Sequence, residues 1–300
     1  MGTVCRRSRE LHPVGRKAMN ARFFVTVIVL NWNGKDDLLR CLGSLDPLLS
    51  EQLRVLVVDN GSSDGSSAAV RDRFPGVELL ALDRNFGYAG GNNAGFRHAM
   101  KRRPEYVVFL NNDTVVAPDA VARLTAVLRD DPEAGIAVPE ILYMDDPDRI
   151  WYAGGVVRLG LGLVRHEGIR KLHGPAYARR KETGYATGCC IAMRSLDFER
   201  IGGFDERFGM YAEDVDLSLR VRKAGLTVVC EPAARVWHRV SASYGSGMHP
   251  RKILRKSAAM LYLMRKHRAW SGFIFYPFAL VAQAAGALLH TLARKPSGRS

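Results

Sequence analysis

Three apolar runs in the first half of the chain each stop at a polar cluster. No other feature constrains the fold as much. The clearest run is Tyr106-Val-Val-Phe-Leu110, which leads into Asn111-Asn-Asp113. Phe23-Phe-Val-Thr-Val-Ile-Val-Leu30 is closed by Asn31-Trp-Asn-Gly34, and Arg54-Val-Leu-Val-Val58 ends at Asp59-Asn-Gly-Ser-Ser-Asp64. Continuous runs of β-branched and aromatic residues read as parallel strands covered on both faces. In open α/β sheets, ligands sit beyond the carboxyl ends of such strands. A strand that delivers a carboxylate to that edge is suited to hold a divalent metal against phosphate oxygens.

Helical patterns alternate with these runs. Asp36 to Leu45 carries leucines at helical spacing, with Asp36 or Asp37 as the expected cap. A helix is expected over 66–74 and a strand over 77–82. The loop from Arg84 to Gly95 leads into a helix ending near Arg103, and another helix opens at Pro118, where proline is tolerated. The alternation predicts an α/β fold with a Rossmann-like, mostly parallel central sheet flanked by helices. The second half is less regular. Strands are expected at 154–164 and 185–193, a helix over 212–224 ended by Gly225, and a short last strand at 227–229. No repeat or low-complexity linker interrupts this part, so one domain over 22–247 is the economical reading.

Charge narrows the partners. A net charge of +14 suits nucleic acid, an anionic membrane surface or a phosphorylated substrate. Residues 1–21 lack the apolar stretch of a signal peptide and read as a disordered basic arm. Cys5, Cys41, Cys189, Cys190 and Cys230 match no zinc spacing and read as reduced thiols of a cytosolic protein. Residues 248–300 differ in character. The tract 251–268 is basic with interleaved apolar residues, as in a surface helix facing anionic lipid. Residues 269–293 contain no Asp, Glu, Lys or Arg and are long enough to span a bilayer. Pro277, Gln283, Gly286 and His290 weaken a full span, and a helix buried on the domain or in a dimer is the alternative.

A few polar residues stand where chemistry would need them, and each also has a structural reading. Asp59 can form the turn or cap a helix; it can also accept a hydrogen bond from a nucleobase imide N–H. The loop from Arg84 to Gly95 is rich in glycine and asparagine and allows close backbone approach to a ligand, with Arg84 against a diphosphate. It is not a Walker loop, because no Gly-Lys-Ser/Thr follows. Asp113 is a candidate metal ligand or a cap for the turn before Pro118. Glu213-Asp214-Val-Asp216 opens a helix, where acidic residues complement the dipole. Asp216 and Arg220 are spaced to pair. The sharper reading makes Asp214 a general base toward an acceptor hydroxyl. His238, in Val236-Trp-His238, can supply a nitrogen ligand.

The ordered set of segments resembles the inverting family 2 glycosyltransferases of GT-A fold, in particular rhamnosyltransferase-like members. The matching pieces are Val25-Thr-Val-Ile-Val-Leu-Asn-Trp-Asn33, Val57-Val-Asp-Asn-Gly-Ser-Ser-Asp64, Asn85-Phe-Gly-Tyr-Ala-Gly-Gly-Asn-Asn93, Leu110-Asn-Asn-Asp113, Gly202-Gly-Phe-Asp205, Ala212-Glu-Asp214 and Val236-Trp-His238. The resemblance implies that Trp32 stacks near a base held by Asp59. It puts Asn31, Arg84, Asn85, Gly91, Asn92 and Asn112 on the nucleotide side. It makes Asp113 and His238 the ligands of Mg²⁺ or Mn²⁺, and Asp214 the catalytic base. Many members carry two acidic residues where this chain reads Asn-Asn-Asp, so modest metal affinity is expected. The Asn85 to Asn93 pattern is similar to members that use dTDP-L-rhamnose.

The leading expectation is therefore a metal-dependent enzyme of cell-surface polysaccharide or glycolipid synthesis. It would move a sugar from a UDP- or dTDP-linked donor to a glycan or lipid-linked glycan, with inversion, at the cytoplasmic face of the cell membrane. Nucleic acid is not an expected partner. A non-catalytic basic protein that holds nucleotide or nucleic acid at a membrane is the alternative. A nucleotidyltransferase on a related scaffold is a third reading and would release pyrophosphate.

Overall fold

The computed structural model describes residues 24–240 and 250–292. The expected arm at 1–21 and Cys5 lie outside the described residues. In chain order the first half contains β1 (Val25–Asn31), α1 (Lys35–Leu45), β2 (Leu53–Asp59), α2 (Ser66–Arg73), β3 (Glu78–Ala81), α3 (Gly87–Ala99), β4 (Tyr106–Asn111), β5 (Thr114–Val116) and α4 (Ala120–Asp130). The second half contains β6 (Ala134–Tyr143), β7 (Ile150–Tyr152), β8 (Gly155–Arg158), β9 (Leu163–His166), β10 (Lys181–Glu182), β11 (Cys190–Arg194), α5 (Ser195–Ile201), α6 (Glu213–Lys223) and β12 (Thr227–His238). Two C-terminal helices follow, α7 (Pro250–Lys266) and α8 (Trp270–Leu292).

The main sheet has the order β3-β2-β1-β4-β11-β6-β12, with β10 on the outer edge of β12. β1, β2, β3 and β4 run parallel. β11 runs against both β4 and β6, while β12 runs parallel to β6. The sheet is thus mixed and mostly parallel. The buried interior of β1, β2, β4, β6 and β11 is built from Val, Ile, Leu, Phe and Ala. Helix α3 packs on β1 and β2, and α4 packs on β6 and β12.

Several expectations are corrected here. Most of the glycine-rich loop is helix, because α3 begins at Gly87. Its glycines bring the helix onto the sheet: a Cβ on Gly95 would sit 2.6 Å from Val58 Cγ2 and 2.8 Å from Ile28 Cγ2. Asp36 and Asp37 lie in the first turn of α1, whose cap position is Gly34. The helix expected from Pro118 starts at Ala120. The expected strand at 154–164 is a hairpin, β8 and β9, turning through 159–161. The strand expected at 185–193 starts at Cys190, and the short strand at 227 extends to His238. β6 was not anticipated, because Pro139 interrupts its apolar run and proline is poorly placed in a central strand. The sheet accommodates it where the β6–β12 register shifts, between Glu231 and Arg235.

α7 and α8 are both helical, as expected. Among the described residues no helix is long and apolar enough to cross a membrane. α7 buries Ala259, Met260, Leu263 and Met264 against the domain.

Candidate active site

Strand register gathers the polar clusters. Asn31 stands beside Asp59 in the β1–β2 ladder, and Leu30 stands beside Asn111 in the β1–β4 ladder. All three strands therefore end at one edge. Asp113 follows β4 at that edge. Thr114 pairs with His238 in the β5–β12 ladder, which brings the imidazole next to Asp113. β11, running the other way, begins here too, so Gly188 lies just before the same edge.

Asp59 is buried and accepts from the Ser62 N–H at 3.1 Å and from the Ser67 hydroxyl. Its carboxylate therefore orders the loop into α2. Asn31 is buried; its Nδ2 donates to Ser62 Oγ at 3.2 Å, and its Oδ1 accepts from Asn112 Nδ2 at 2.7 Å. These side-chain bonds couple the ends of β1, β2 and β4. Asn60, not singled out from sequence, pins the next loop. Its Nδ2 donates to Asn85 Oδ1 and to the Gly87 carbonyl, both at 3.0 Å, and its Oδ1 accepts from the Phe86 N–H at 2.9 Å.

Trp32, half exposed, and Asn85 line a cavity of about 650 Å³ with Phe86, Phe208, Arg255 and Tyr262. The Arg84 guanidinium lies 4.8 Å over the Phe86 ring. Gly91 and Asn92 are placed elsewhere. A Cβ on Gly91 would overlap Leu30 Cδ1, and Asn92 is buried with its Nδ2 donating to the Tyr88 carbonyl at 3.1 Å. Both lie on the buried face of α3, and Asn92 Oδ1 is buried without a hydrogen-bond partner among the described residues.

Asp113 Oδ1 and His238 Nε2 stand 3.2 Å apart. Among the described residues neither Asp113 Oδ1 nor His238 Nδ1 has a hydrogen-bond partner, although both are buried. Buried polar atoms rarely stay unpaired, so an oxygen and an imidazole held side by side in this state fit a cation. No group of three or more His, Cys, Asp or Glu side chains able to hold a metal occurs among the described residues. Asp113 and His238 would be the side chains to hold a cation here.

Asp214 is presented by an uncommon turn. Tyr211 and Ala212 precede it with φ of 76° and 67°. Left-handed backbone at consecutive non-glycine residues persists only where the surroundings dictate it. Asp214 Oδ2 accepts from the Gly188 N–H and Oδ1 from the Val215 N–H, each at 2.8 Å. Burial raises its proton affinity, and the backbone bonds from Gly188 and Val215 only partly offset this. Its neighbour Glu213 is pushed up to about 8, first by burial and then by the Asp214 charge. The two carboxyls thus share a site that favours one negative charge over two.

Glu213 gives a pH prediction. Its folded value of about 8 exceeds the ordinary value of 4.5, so the folded state holds the proton more tightly. The stability it contributes is complete below the ordinary value and is lost as pH rises through about 8. The melting temperature of Glu213→Gln, followed across that window, is expected to fall less than that of the parent. Parallel curves would exclude this role.

Next to His238 lies an aromatic group that the sequence did not signal. Trp151 stands between His166 and His238, with ring centroids 4.5 Å away on each side. Burial lowers His166 to about 4; its hydrogen bond to the Trp151 carbonyl opposes this, and His238 and Lys256 add to it.

This arrangement is that of a GT-A-type protein, and solved structures share its fold. GalNAc-T7 with UDP, GalNAc and Mn²⁺ superposes with a TM-score of 0.64 at 16% identity, covering 81% of this chain and 48% of that one. The mannosyltransferase PcManGT from Pyrobaculum calidifontis, in complex with GDP-Man and Mn²⁺, gives 0.58 at 22% identity, covering 90% and 79%. The chain belongs to the family described as Glycosyl transferase family 2, whose pattern matches residues 26–202. It is 29% identical over 267 residues to N-acetylglucosaminyl-diphospho-decaprenol L-rhamnosyltransferase of Mycobacterium tuberculosis (strain ATCC 25618 / H37Rv), across 81% of this chain and 85% of that protein.

Proposed function

We propose that this glycosyltransferase moves a sugar, L-rhamnose being the first to test, from a UDP- or dTDP-linked donor to a hydroxyl of a lipid-linked glycan, with inversion. The reading rests on one observation: Asp214, Asp113 and His238 lie at the sheet edge where Asn31 and Asp59 end their strands. The name of the mycobacterial relative supports both the sugar and the kind of acceptor.

In this mechanism Asp214 takes the proton of the acceptor hydroxyl. The freed oxygen attacks the anomeric carbon from the side opposite the nucleotide. The bond from that carbon to the phosphate oxygen breaks, and the nucleoside diphosphate leaves with its electron pair. Glu213, protonated below about 8, keeps a second negative charge away from the base. Trp32 offers an exposed face to the base of the donor, and Asp59 orders the loop beneath it. Asp113 and His238 would hold Mg²⁺ or Mn²⁺, which supplies charge neutralisation for a diphosphate leaving group. A panel of nucleotide sugars with Mn²⁺ tests the reading. The true donor is expected to raise the melting temperature and, with acceptor, to release a nucleoside diphosphate. Release of pyrophosphate would instead indicate nucleotidyl transfer.

The same reading sets the protein against an anionic membrane on its cytoplasmic face. Trp270, Ile274, Phe278 and Val281 are 63–70% exposed and recur at helical spacing along α8. Residues 250–292 contain no Asp or Glu. An apolar row flanked by cations suits an acidic lipid surface. Co-sedimentation with phosphatidylglycerol vesicles is expected for the parent and is lost in Ile274→Asp/Phe278→Asp. Equal sedimentation of the two would remove this part of the reading.

A further inference from the structure

The last turn of α7 reaches across to the helix that carries Asp214. Lys266 Nζ lies 2.7 Å from Asp205 Oδ2 and 2.7 Å from Asp216 Oδ1. His267 Nε2 stands 2.9 Å from the same Asp216 oxygen, and Arg220 Nε donates to its other oxygen at 2.7 Å. Asp216 is wholly buried on α6, two positions past Asp214. Burial would raise its proton affinity, but the bonds from His267, Lys266 and Arg220 outweigh this and hold its carboxyl below the ordinary value. A buried carboxylate is tolerated only when such partners are present. Here the end of α7 supplies Lys266, the turn after it supplies His267, and only Arg220 comes from α6 itself.

A second, separate contact involves α8. Gly162, in the turn between β8 and β9, passes so close that a Cβ would meet Tyr276 Cα at 2.7 Å. Ser271 Oγ donates to the Gly160 carbonyl at 3.0 Å. This hairpin carries His166, which abuts Trp151 and through it His238. The two C-terminal helices therefore press on both sides of the reaction centre.

We propose that α7 and α8 brace the reaction centre, and that Lys266 and His267 are positioning residues that fix the general base Asp214 through Asp216. The inference rests on the functional reading above for the role of Asp214. Its physical basis is the turn before α6, where Tyr211 and Ala212 both hold left-handed backbone. Such a turn keeps its shape where the surrounding structure holds it; Arg220, bonded to the Ile201 and Gly203 carbonyls at 2.7 Å each, and the Lys266–Asp216–His267 cluster together anchor the helix after it.

The test uses the full-length chain. Lys266→Met is expected to lower kcat about 10²-fold while the donor KM stays within about 2-fold, because misplacing a reacting group costs turnover and not donor binding. Lys266→Arg, which keeps the cation, is expected to recover most of the turnover. His267→Gln gives a smaller fall in the same direction, and it decides the matter if Lys266→Met proves unable to bind donor. Amide hydrogen exchange over 211–217 reads the anchor without catalysis and is expected to quicken in Lys266→Met. Unchanged kcat, a rise in donor KM alone, or unchanged exchange overturns the brace. A parent protein that transfers no sugar overturns the functional reading instead, and the exchange result then still judges the anchor.

Discussion

Asp214→Asn is expected to bind the nucleotide donor as the parent does and to lose about 10²–10⁴-fold in turnover, the usual contribution of a positioned general base. Both Asp214 oxygens accept backbone N–H groups, from Gly188 and Val215, so the carboxylate is fixed in orientation. An amide can fill one of those places but cannot take a proton. Burial raises the proton affinity of Asp214, which makes it a stronger base than an exposed aspartate. On the proposed reading the donor occupies the cavity lined by Trp32 and Asn85, whose lining does not include Asp214, so its affinity is expected to be insulated from the change. Calorimetry with donor and a single-turnover rate check the two halves separately. Near-normal turnover would refute the role of Asp214. Glu213→Gln is the companion variant. Glu213 carries its proton below about 8, so a neutral amide copies it and turnover near neutral pH is expected to survive.

The parallel half of the fold was legible because each of its strands is a continuous apolar run with turn residues at both ends. β1, β2 and β4 appear close to their expected limits. The far half was less legible because its strands obtain their pairing from tertiary context. β6 carries Pro139 and Glu140, and β12 carries Glu231 and Pro232; each pair breaks the apolar pattern that marks a strand. Their shared irregularity makes the two strands compatible. Neither segment reveals this alone. The antiparallel direction of β11 has no local signal either, since its apolar run suits both directions.

At the site, residues at strand ends were easy to find because strand register carries them to one edge. Asp59 turned out to be bound to Ser62 and Ser67, so its turn-forming reading is the one its contacts express. Glycines and asparagines in α3 are ambiguous in sequence, because close helix–sheet packing and close ligand approach call for the same residue types. Trp151 and His166 could not be foreseen, since only the pairing of β7 with β6 and the fold of the β8–β9 hairpin bring the one against His238 and the other against Trp151. Lys266 and His267 read as part of a surface-facing basic tract. Their buried role exists only because α7 ends against Asp216.

Asp113→Ala is expected to abolish the metal-dependent part of donor binding and to leave the metal-free part intact. Asp113 Oδ1 is buried without a donor, beside His238 Nε2 at 3.2 Å. Removing even an indirect partner of a metal ligand typically costs 10–100-fold in metal affinity, so losing the carboxylate itself is expected to cost at least about 10²-fold. The effect has to appear as a difference. In the parent, donor affinity measured by calorimetry is expected to rise when Mn²⁺ is added. In Asp113→Ala the titrations with and without Mn²⁺ are expected to coincide at the parent's metal-free value, because Trp32 and the Asn60–Asn85 contact are untouched. His238→Ala is expected to act in the same sense but more weakly, since the remaining carboxylate still attracts a cation. A parent whose donor affinity ignores Mn²⁺ would show that Asp113 and His238 hold no ion. Their unpaired atoms would then mark a bound water or an acceptor hydroxyl, and activity would survive chelation. If Asp113→Ala instead weakens binding equally with and without metal, the carboxylate supports the site through its contact with His238 Nε2, 3.2 Å away, and not through a cation. In that case the ligand assignment fails while the assignment of the base stands.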